Sequence, residues 1–396
     1  MVSRDTYLPF GKPDFGDAEI AAVTRVLRTG WVGMGAETLA FERELADACG
    51  APHVVSVSSC TAALFLSLLG LGVGPGDEVV VPSLTWISTA NVVRHLGATV
   101  AFCDVDPDTL CVTAETVRAA LTPRTRAVVV VHLGGRAVPV QEIRDAIPGH
   151  IAVVEDAAHA LGARYAGGDP VGSSGNLVCF SFYANKNLST GEGGAIALGD
   201  AALAERLRSL RQHGLPQDAW KRYIEPQRLE VPRVIELGYK MNYTDLQAAI
   251  GRVQLRRQPE LQQRRLAIAR AYATRLAGMP GRLRTQEGVL ESAHARHLFV
   301  VTLTDAASGS TRDRVLQELR SRNIGASLHY QPVHTLALYA EARQTPLPAT
   351  DWLAPRILTL PISASMTTLD AEQVCDAFEE VLPLEPASRR SAGAWS

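Results

Sequence analysis

The chain has 396 residues, of which 46% are hydrophobic and 20% are charged, and its formal net charge is -2. This length and composition predict a soluble globular protein with one large and one smaller domain. A balanced charge and a pI near 6.6 leave no basic stripe for a phosphate backbone, so the composition argues against nucleic acid as a partner.

Cysteine usage and the N-terminus indicate the compartment. The six cysteines form no CxxC pair and mostly lie in apolar segments, which favours a reducing cytoplasm over a disulfide framework and predicts no metal site. The N-terminus lacks the apolar segment of a secretory signal, and no stretch approaches a membrane-spanning length. We therefore expect a cytoplasmic protein without a membrane partner.

Short apolar runs alternate with helical patterns from residue 54 to residue 198. The runs include "EVVVP", "RAVVVVH", "IAVVED" and "GAIAL", and helical patterns such as "TAALFLSLLG" and "AETVRAAL" separate the runs. This alternation predicts a mostly parallel sheet covered by helices. Continuous runs such as "AVVVV" are typical of strands that are buried on both faces.

A long helical region follows a loop-like stretch at 214–240. Thr244 or Asp245 is expected to cap its first helix, and Pro259 is expected to open the next. Beyond it, "HLFVVTLT", a helix near 311–322, "GASLHY", "ILTLPIS" and a helix near 370–381 predict a small α+β domain. We place the boundary so that the large domain covers 1–255 and the small domain covers 256–396, with a disordered tail.

Two segments compete as the phosphate-binding turn. "GLGVGPGDEVVVP" resembles a dinucleotide fingerprint, but it follows a helix and precedes a strand, so it is interpreted as a helix end and a turn. In "VVSVSSCTAAL" a strand ends in small hydroxyl residues and a helix begins, so Ser59, Cys60 and Thr61 could hold a phosphate at the helix start. The alternative for this second segment is an ordinary helix N-cap.

A strand-end carboxylate is the second candidate group. "AVVEDAAHALG" ends a strand with Glu155 and Asp156, and His159 follows. Ligands of parallel sheets bind at this edge, where Asp156 could pair with a protonated ring nitrogen. The alternative is a helix cap with a hydrogen-bonded histidine.

Lysine is rare in this chain, and only Lys12, Lys186, Lys221 and Lys240 occur. A guanidinium stays protonated, whereas a partly desolvated lysine can lose its proton and attack a carbonyl. Lys186 lies in a glycine-rich turn after an apolar strand. A phosphate turn, a strand-end aspartate and a loop lysine together predict pyridoxal 5'-phosphate (PLP), with Lys186 as the Schiff-base amine. The alternative for Lys186 is a solvated loop lysine.

Several motifs resemble one known family. "PSLTWISTANVV", "DVDPDTL", "VHLGG", "EDAAHALGARY", "FSFYANKNLSTGEGGAIAL", "RQHG" and "YTDLQAAIGRVQL" are similar to those of the DegT/DnrJ/EryC1/StrS sugar aminotransferases, over about residues 8–380. The resemblance implies an α/β protein of the fold type I PLP-dependent aminotransferases, with a mostly parallel central sheet flanked by helices and a smaller C-terminal α+β domain. It also implies an obligate homodimer with shared active sites and glutamate as the usual amino donor.

The resemblance assigns a role to each matching residue. It implies a Schiff base at Lys186, a ring-nitrogen contact at Asp156, a contact of His159 with the cofactor ring face or hydroxyl, phosphate contacts at Cys60, Thr61 and Ser181, and ring stacking by Trp86. For Trp86 the alternative is a core tryptophan on a helix.

One segment departs from the family pattern. Many members carry Asn-x-Arg before the "QAA" helix, whereas "GYKMNYTDLQAA" places Lys240 and Asn242 there. This form, with "SLHYQPVHTLALY", resembles the branch that makes UDP-4-amino-4-deoxy-L-arabinose. On that resemblance Asn242 is favoured over Lys240 as the contact to the partner subunit's phosphate. His329 is a candidate substrate residue, with a hydrogen-bonded histidine of the small domain as the alternative.

The predicted activity is amino transfer from glutamate to a nucleotide-linked ketosugar, at C4, in a ping-pong cycle. Arg211 and Arg222 are candidates for contacts to the substrate diphosphate. A cyclitol ketone aminotransferase, which needs no diphosphate site, is the alternative activity. A dehydratase of the same fold is disfavoured because its known variants replace the lysine with histidine, and a non-catalytic PLP-binding regulator would not need the full residue set.

Overall fold

A mostly parallel sheet forms the centre of the larger part of the chain. The computed structural model describes residues 3–215, 234–279, 282–304 and 309–382. The sheet runs in the order β1-β7-β6-β5-β4-β2-β3-β10, with β1 His53–Val57, β2 Glu78–Pro82, β3 Thr99–Cys103, β4 Thr125–Val131, β5 Ala152–Asp156, β6 Leu177–Ser181, β7 Gly194–Leu198 and the two-residue β10 Arg343–Gln344. Only β7 runs antiparallel to its neighbours, which confirms the predicted sheet.

Helices cover both faces of this sheet because alternate strand residues point to opposite sides. In β4, Ala127 and Val129 join one apolar core, whereas Val128 and Val130 join another. Fully burying one such valine stabilises the fold by roughly 1.5–3 kcal/mol. The first helix, α1 Asp17–Thr29, packs on the long helix at 245–276. The helices that cover the sheet are α2 Ala36–Cys49, α3 Cys60–Gly70, α4 Ser88–His95, α5 Ala114–Ala120, α6 Val140–Ala146 and α7 Ala201–Leu210.

The glycine-rich segment after α3 is a helix end and a turn, as predicted. The helix ends at Gly70, and Gly72 and Gly76 follow with φ of 76° and 95°, a backbone region that favours glycine. β2 begins directly afterwards at Glu78.

A single long helix, α8 Asp245–Leu276, leads into the C-terminal part of the chain. Thr244 caps it in a capping box with Gln247, which agrees with the predicted start. The prediction of a second helix opening at Pro259 is wrong, because the helix continues through this residue. The missing N–H of Pro259 removes one helix bond, but the buried residues Leu261, Ile268 and Tyr272 continue the packed face beyond it.

The C-terminal part combines a three-stranded antiparallel sheet with helices. The sheet has the order β11-β9-β8, with β8 Leu283–Thr285, β9 Phe299–Leu303 and β11 Ile357–Leu360, and the helices are α9 Gly309–Ser321, α10 Pro348–Leu353 and α11 Thr368–Val381. α8 packs against α1 and α2 and also against α11. The domain boundary at residues 255 and 256 lies inside α8 and stays a prediction.

The segment "GASLHY", which was predicted among the elements of the small domain, forms no regular strand. It forms only one isolated bridge, between Ser327 and Thr359. The N-terminal segment bonds to the start of this stretch, since Leu8 N donates to Asn323 O and Gly325 N donates to Leu8 O, both at 2.8 Å. Arg4 adds an ion pair of 2.6 Å to Asp370 of α11.

Two chemical features complete the fold. All six cysteines are free thiols. Within the ranges that the structure describes, no helix is long and apolar enough to cross a lipid bilayer.

Candidate active site

A cavity of about 450 Å³ opens at the carboxyl ends of β4, β5 and β6, beside the first turn of α3. Ligand sites of open parallel sheets occur at this edge. The lining comprises Ser59, Cys60, Thr61, Thr85, Trp86, Ser88, Val131, Asp156, Ala158, His159, Ser181, Tyr183, Asn185, Lys186, Glu192, Gly193, His329 and Tyr330. The structure thus brings together all the predicted cofactor-binding residues except Asn242, together with the candidate substrate residue His329.

Lys186 reaches the cavity from the turn that follows β6. Its backbone N–H donates to the Tyr183 carbonyl at 2.9 Å, and its Nζ lies 3.3 Å from His297 Nε2. Burial lowers the pKa of Lys186 to about 8, although Cys60 and Asp156 favour the charged form. A substantial fraction of the amine is therefore neutral near this pH, as a nucleophile or base requires.

Asp156 ends β5 and faces the cavity. Its Oδ2 accepts a hydrogen bond of 2.9 Å from Thr89 Oγ1, and its Oδ1 accepts one of 3.1 Å from the Ala158 N–H. Burial raises the pKa of this carboxyl, and the bonds from Ala158 and Thr89 only partly oppose the shift. A cationic group of a ligand in the cavity would stabilise the ionised form.

His159 is a neutral hydrogen-bond donor. Residues 157–162 form turns, so the predicted alternative of a helix cap after Asp156 is wrong. The Gly134 N–H donates to His159 Nδ1 at 3.3 Å, so the proton lies on Nε2, which is 3.1 Å from the Tyr330 hydroxyl. Burial and the nearby Lys186 lower the pKa of His159 well below its usual value.

The first turn of α3 offers an anion site. Ser59 is the N-cap, and its hydroxyl accepts from the Ala62 N–H at 3.1 Å. Cys60 and Thr61 begin the helix beside Ser181, the last residue of β6. Gly194 of β7 lets this turn pack closely, because a Cβ there would lie 2.5 Å from the Ser59 carbonyl carbon. The N-cap and the anion site are therefore compatible at one helix terminus.

Trp86 lies at the mouth of the cavity. It precedes α4, is 58% exposed, and has its ring centroid 5.6 Å from that of Tyr330. The alternative of a core tryptophan on a helix is therefore wrong. An exposed aromatic face beside a cavity suits stacking on a flat ligand.

The remaining predicted residues take different positions. His329 lines the cavity, while its Nδ1 lies 3.0 Å from Thr359 Oγ1 and its ring packs against Phe10. Asn242 is outside the cavity lining, and its Nδ2 donates to the neighbouring Tyr243 carbonyl at 3.0 Å. Lys240 is exposed.

Arg211 is not a substrate contact, contrary to the sequence prediction. Its side chain is fully buried and is ion-paired with Glu42. The same guanidinium donates to the Ser56 carbonyl at 2.6 Å. A buried carboxylate requires such a partner, so Arg211 serves the fold. Arg222 lies outside the described residues.

Among the residues at the site that were not predicted from the sequence, two contact predicted ones. Tyr330 lines the cavity beside Trp86 and His159, and His297 contacts Lys186. The only sequence signal for His297 is a polar residue directly before the apolar run of β9.

These groups fit PLP. A cofactor with a carbonyl, a basic ring nitrogen and a phosphate needs an amine, a carboxylate and an anion site. Lys186, Asp156 and the first turn of α3 supply these around one cavity, and Trp86 offers a flat surface.

Comparison with known proteins gives the same result. The sequence model of the DegT/DnrJ/EryC1/StrS aminotransferase family matches residues 13–379. Spr1654 from Streptococcus pneumoniae, assigned as a sugar aminotransferase, is 31% identical in its PMP form, with a TM-score of 0.87 over 94% of this chain and 98% of that chain. It has also been solved in PLP and apo forms.

Two further solved structures are similar. The aminotransferase TlmJ from Streptoalloteichus hindustanus is 35% identical, with a TM-score of 0.85 over 95% of this chain and 98% of that chain. DesV from S. venezuelae, solved in complex with a ketimine intermediate, is 36% identical, with a TM-score of 0.82 over 93% of this chain and 95% of that chain.

Proposed function

Because the chain belongs to the DegT/DnrJ/EryC1/StrS aminotransferase family and is a PLP-dependent aminotransferase, we propose that it moves an amino group from glutamate to C4 of a nucleotide-linked ketosugar. The observation that carries the transfer chemistry is the partly neutral Lys186 amine on the same cavity as the Asp156 carboxylate. The name of the S. pneumoniae relative supports a sugar as the acceptor.

Each residue of the cavity has a defined task in this proposal. Bound PLP supplies an electrophilic carbon and a ring that accepts electrons. Asp156 keeps a proton on the ring nitrogen, and the first turn of α3 binds the phosphate. Lys186 Nζ takes the proton from the donor's α-carbon, and in the second half-reaction it returns a proton to the sugar carbon.

The polar and aromatic lining supports a hydroxylated acceptor. The His159 Nε2–H and the hydroxyls of Ser88 and Tyr330 are hydrogen-bonding groups on the cavity wall. Trp86 offers an apolar face at the mouth, which suits one side of a sugar ring. The choice of C4 rests on the resemblance of "SLTWIS", "GYKMN" and 326–340 to the 4-amino-arabinose branch.

A cyclitol ketone remains the second candidate acceptor. The burial of Arg211 against Glu42 removes one of the two arginines expected to bind a diphosphate, and this observation favours an acceptor without a nucleotide. The two candidates share the same amino-transfer chemistry at Lys186.

Half-reaction spectroscopy tests the chemistry first. We expect purified protein to be yellow and to lose its visible absorption band when glutamate is added. Lys186→Ala should lack this band and show at least about a 1,000-fold loss of turnover, since the amine is both attachment point and base. Replacing the exposed Lys12 by alanine is the matched control and should change neither. A normal visible band in Lys186→Ala would refute the assignment.

Acceptor kinetics then test the substrate. Glutamate-treated enzyme is mixed with nucleotide-linked 4-ketosugars, matched 3-ketosugars and free cyclitol ketones, and recovery of the visible band is followed. The proposal expects the highest kcat/KM with a nucleotide-linked 4-ketosugar. A far higher value for a free cyclitol ketone would refute the sugar assignment and leave the amino-transfer chemistry intact.

The proposal includes a homodimer in which Asn242 reaches the partner subunit's cofactor phosphate. Its position outside the cavity of its own chain supports this arrangement. Mixing inactive Lys186→Ala with a PLP-weak Asn242→Ala variant should restore partial activity, because one site of each mixed dimer is then intact. Mixed dimers that form without any activity would contradict the shared site.

A further inference from the structure

His297 contacts the active-site lysine from outside the cavity lining. It lies two residues before β9 and is 2% exposed, and its backbone N–H donates to the Gly134 carbonyl at 2.9 Å. The side chain places Nε2 at 3.3 Å from Lys186 Nζ. The backbone of His297 is therefore held by the turn that follows β4, and its side chain contacts the amine from outside the cavity lining.

The neighbouring Asn187 fixes which nitrogen of His297 carries the proton. Asn187 Nδ2 donates to the Ala295 carbonyl at 2.7 Å, so its Oδ1 is the atom that faces His297 Nδ1, at 3.3 Å. An amide oxygen only accepts, so Nδ1 carries the hydrogen and Nε2 presents a lone pair to Lys186. Gln258 Nε2 holds the Asn187 carbonyl at 2.7 Å, which fixes this segment against α8.

The surroundings keep the imidazole neutral. Burial lowers the pKa of His297 well below its usual value, and the nearby Lys186, His159, Arg265 and His329 lower it further. The His159 ring packs on it with centroids 4.4 Å apart. Arg265 is itself buried, and its guanidinium donates only to the backbone carbonyls of residues 296 and 362. The carboxyl of this region, Asp156, acts on Lys186 rather than on His297.

We propose that His297 is a positioning residue that accepts one N–H of the Lys186 amine and thereby directs the amine's lone pair into the cavity. The inference rests on the proposed role of Lys186. A neutral amine has two N–H groups and one lone pair, so fixing one N–H against His297 leaves the lone pair only the two remaining positions, both directed away from the imidazole. Orientation of this kind accelerates attack and proton transfer without adding a new reactive group.

Recombination of apoprotein with PLP tests this without turnover. The rate of appearance of the visible band is measured from about pH 6 to about pH 10 for wild type, His297→Phe and His297→Gln, since phenylalanine keeps the ring volume without an acceptor and glutamine keeps an acceptor oxygen. For wild type the midpoint should lie near the Lys186 pKa of about 8.

The two variants should separate orientation from packing. We expect His297→Phe to recombine about tenfold more slowly at the high-pH plateau, with a lower midpoint because an imidazole acceptor stabilises the ammonium form more than the amine. His297→Gln should recombine within about threefold of wild type. A wild-type rate and midpoint in His297→Phe, or equal losses in both variants, would overturn the inference.

A second measurement decides the case even if His297→Phe does not fold. In wild-type protein with ¹⁵N-labelled histidine, the nitrogen shifts of His297 should show hydrogen on Nδ1 and none on Nε2 from about pH 6 to about pH 8; hydrogen on Nε2 would overturn the inference. The proposed function fails separately, because it fails if Lys186→Ala keeps the visible band. If Lys186→Ala loses the band while His297→Phe matches wild type, only the inference fails.

Discussion

Glu155 and Asp156 are consecutive buried carboxylates at the end of β5, yet they point to opposite faces of the sheet and differ in how they are satisfied. Glu155 accepts hydrogen bonds from His132 Nε2 at 2.8 Å, Tyr165 Oη at 2.7 Å and Asn176 Nδ2 at 2.7 Å, with a further bond from Ser174. Burial alone would raise its pKa, but the bonds from His132, Ser174 and Asn176 outweigh burial and hold the pKa below its usual value.

Asp156 accepts fewer hydrogen bonds from the protein than Glu155 does. Its donors are Thr89 and the Ala158 N–H, with a thiol contact from Cys60 at 3.9 Å, and burial therefore keeps its pKa raised. The difference teaches that the number of donors, and not burial alone, separates a structural carboxylate from a functional one. The carboxylate left incompletely satisfied at a cavity has capacity for a ligand.

The largest expected effect is on catalysis by Asp156→Asn. Its amide cannot stabilise a protonated ring nitrogen, so the glutamate half-reaction, followed by loss of the visible band, should slow by about 100- to 1,000-fold. Glu155→Gln is the matched control at the preceding residue, and its half-reaction rate should stay within about threefold of the wild-type rate. If the half-reaction of Asp156→Asn slows by less than about tenfold, Asp156 is not the functional carboxylate of the pair.

The second effect is on stability, where the change at Glu155 is expected to cost more than the change at Asp156. Glu155→Gln turns an amide N–H₂ towards groups that donate, so we expect the free energy of unfolding to fall by about 2–4 kcal/mol. Asp156→Asn should cost less than about 1 kcal/mol. Urea denaturation of the two apoproteins measures both values. An equal loss of unfolding free energy in both variants would show that the number of donors does not determine how much each carboxylate stabilises the fold.

The third effect is a difference of sign in the pH dependence of stability. Because the folded pKa of Glu155 lies below its ordinary 4.5, its contribution to stability is present above that value and is lost as the pH falls through the folded pKa. The folded pKa of Asp156 lies above its ordinary 3.8, so its contribution is present below that value and is lost as the pH rises through the folded pKa.

Melting temperatures of the apoproteins check this sign. As the pH rises from about 4 to about 7, the melting temperature of Glu155→Gln should fall further below that of wild type, by roughly 2–4 °C. The melting temperature of Asp156→Asn should rise relative to that of wild type by a similar amount. Parallel changes in the two variants would contradict the opposite pKa shifts.

The smallest effect is expected from Thr89→Val. This change removes the hydroxyl that donates to Asp156 at 2.9 Å, so the pKa of Asp156 should rise further and its ionised form should be less available. We expect the glutamate half-reaction to slow by about threefold. A loss as large as that of Asp156→Asn would mean that Thr89 acts on the ligand itself.

Much of this site could be predicted from local sequence patterns. Strand ends, helix starts and a rare lysine are local features, and they indicated Asp156, Cys60 and Lys186 at one edge of the sheet. The distinction between Glu155 and Asp156 was not accessible, because it depends on donors that other segments bring to each face.

Contacts between distant segments explain the errors and omissions. His297 is 111 residues from Lys186 in sequence, and Tyr330 is 171 residues from His159, so no local pattern marks either contact. Arg211 was assigned to a substrate because its partner Glu42, 169 residues earlier, could not be inferred. Pro259 marked a helix start by local preference, but packing on both sides of it keeps α8 continuous.

The N-terminal segment has a consequence for synthesis on the ribosome. Asn323 Nδ2 donates to the Arg4 carbonyl across 319 residues of sequence, and the Phe10 ring packs on His329 of the cavity wall. At translation rates of about 5–20 residues per second, the first residues wait roughly 15–60 seconds for these partners to emerge. The wall of the cavity at His329 is therefore completed late in translation, and a truncated nascent chain lacks it even when the central sheet has formed.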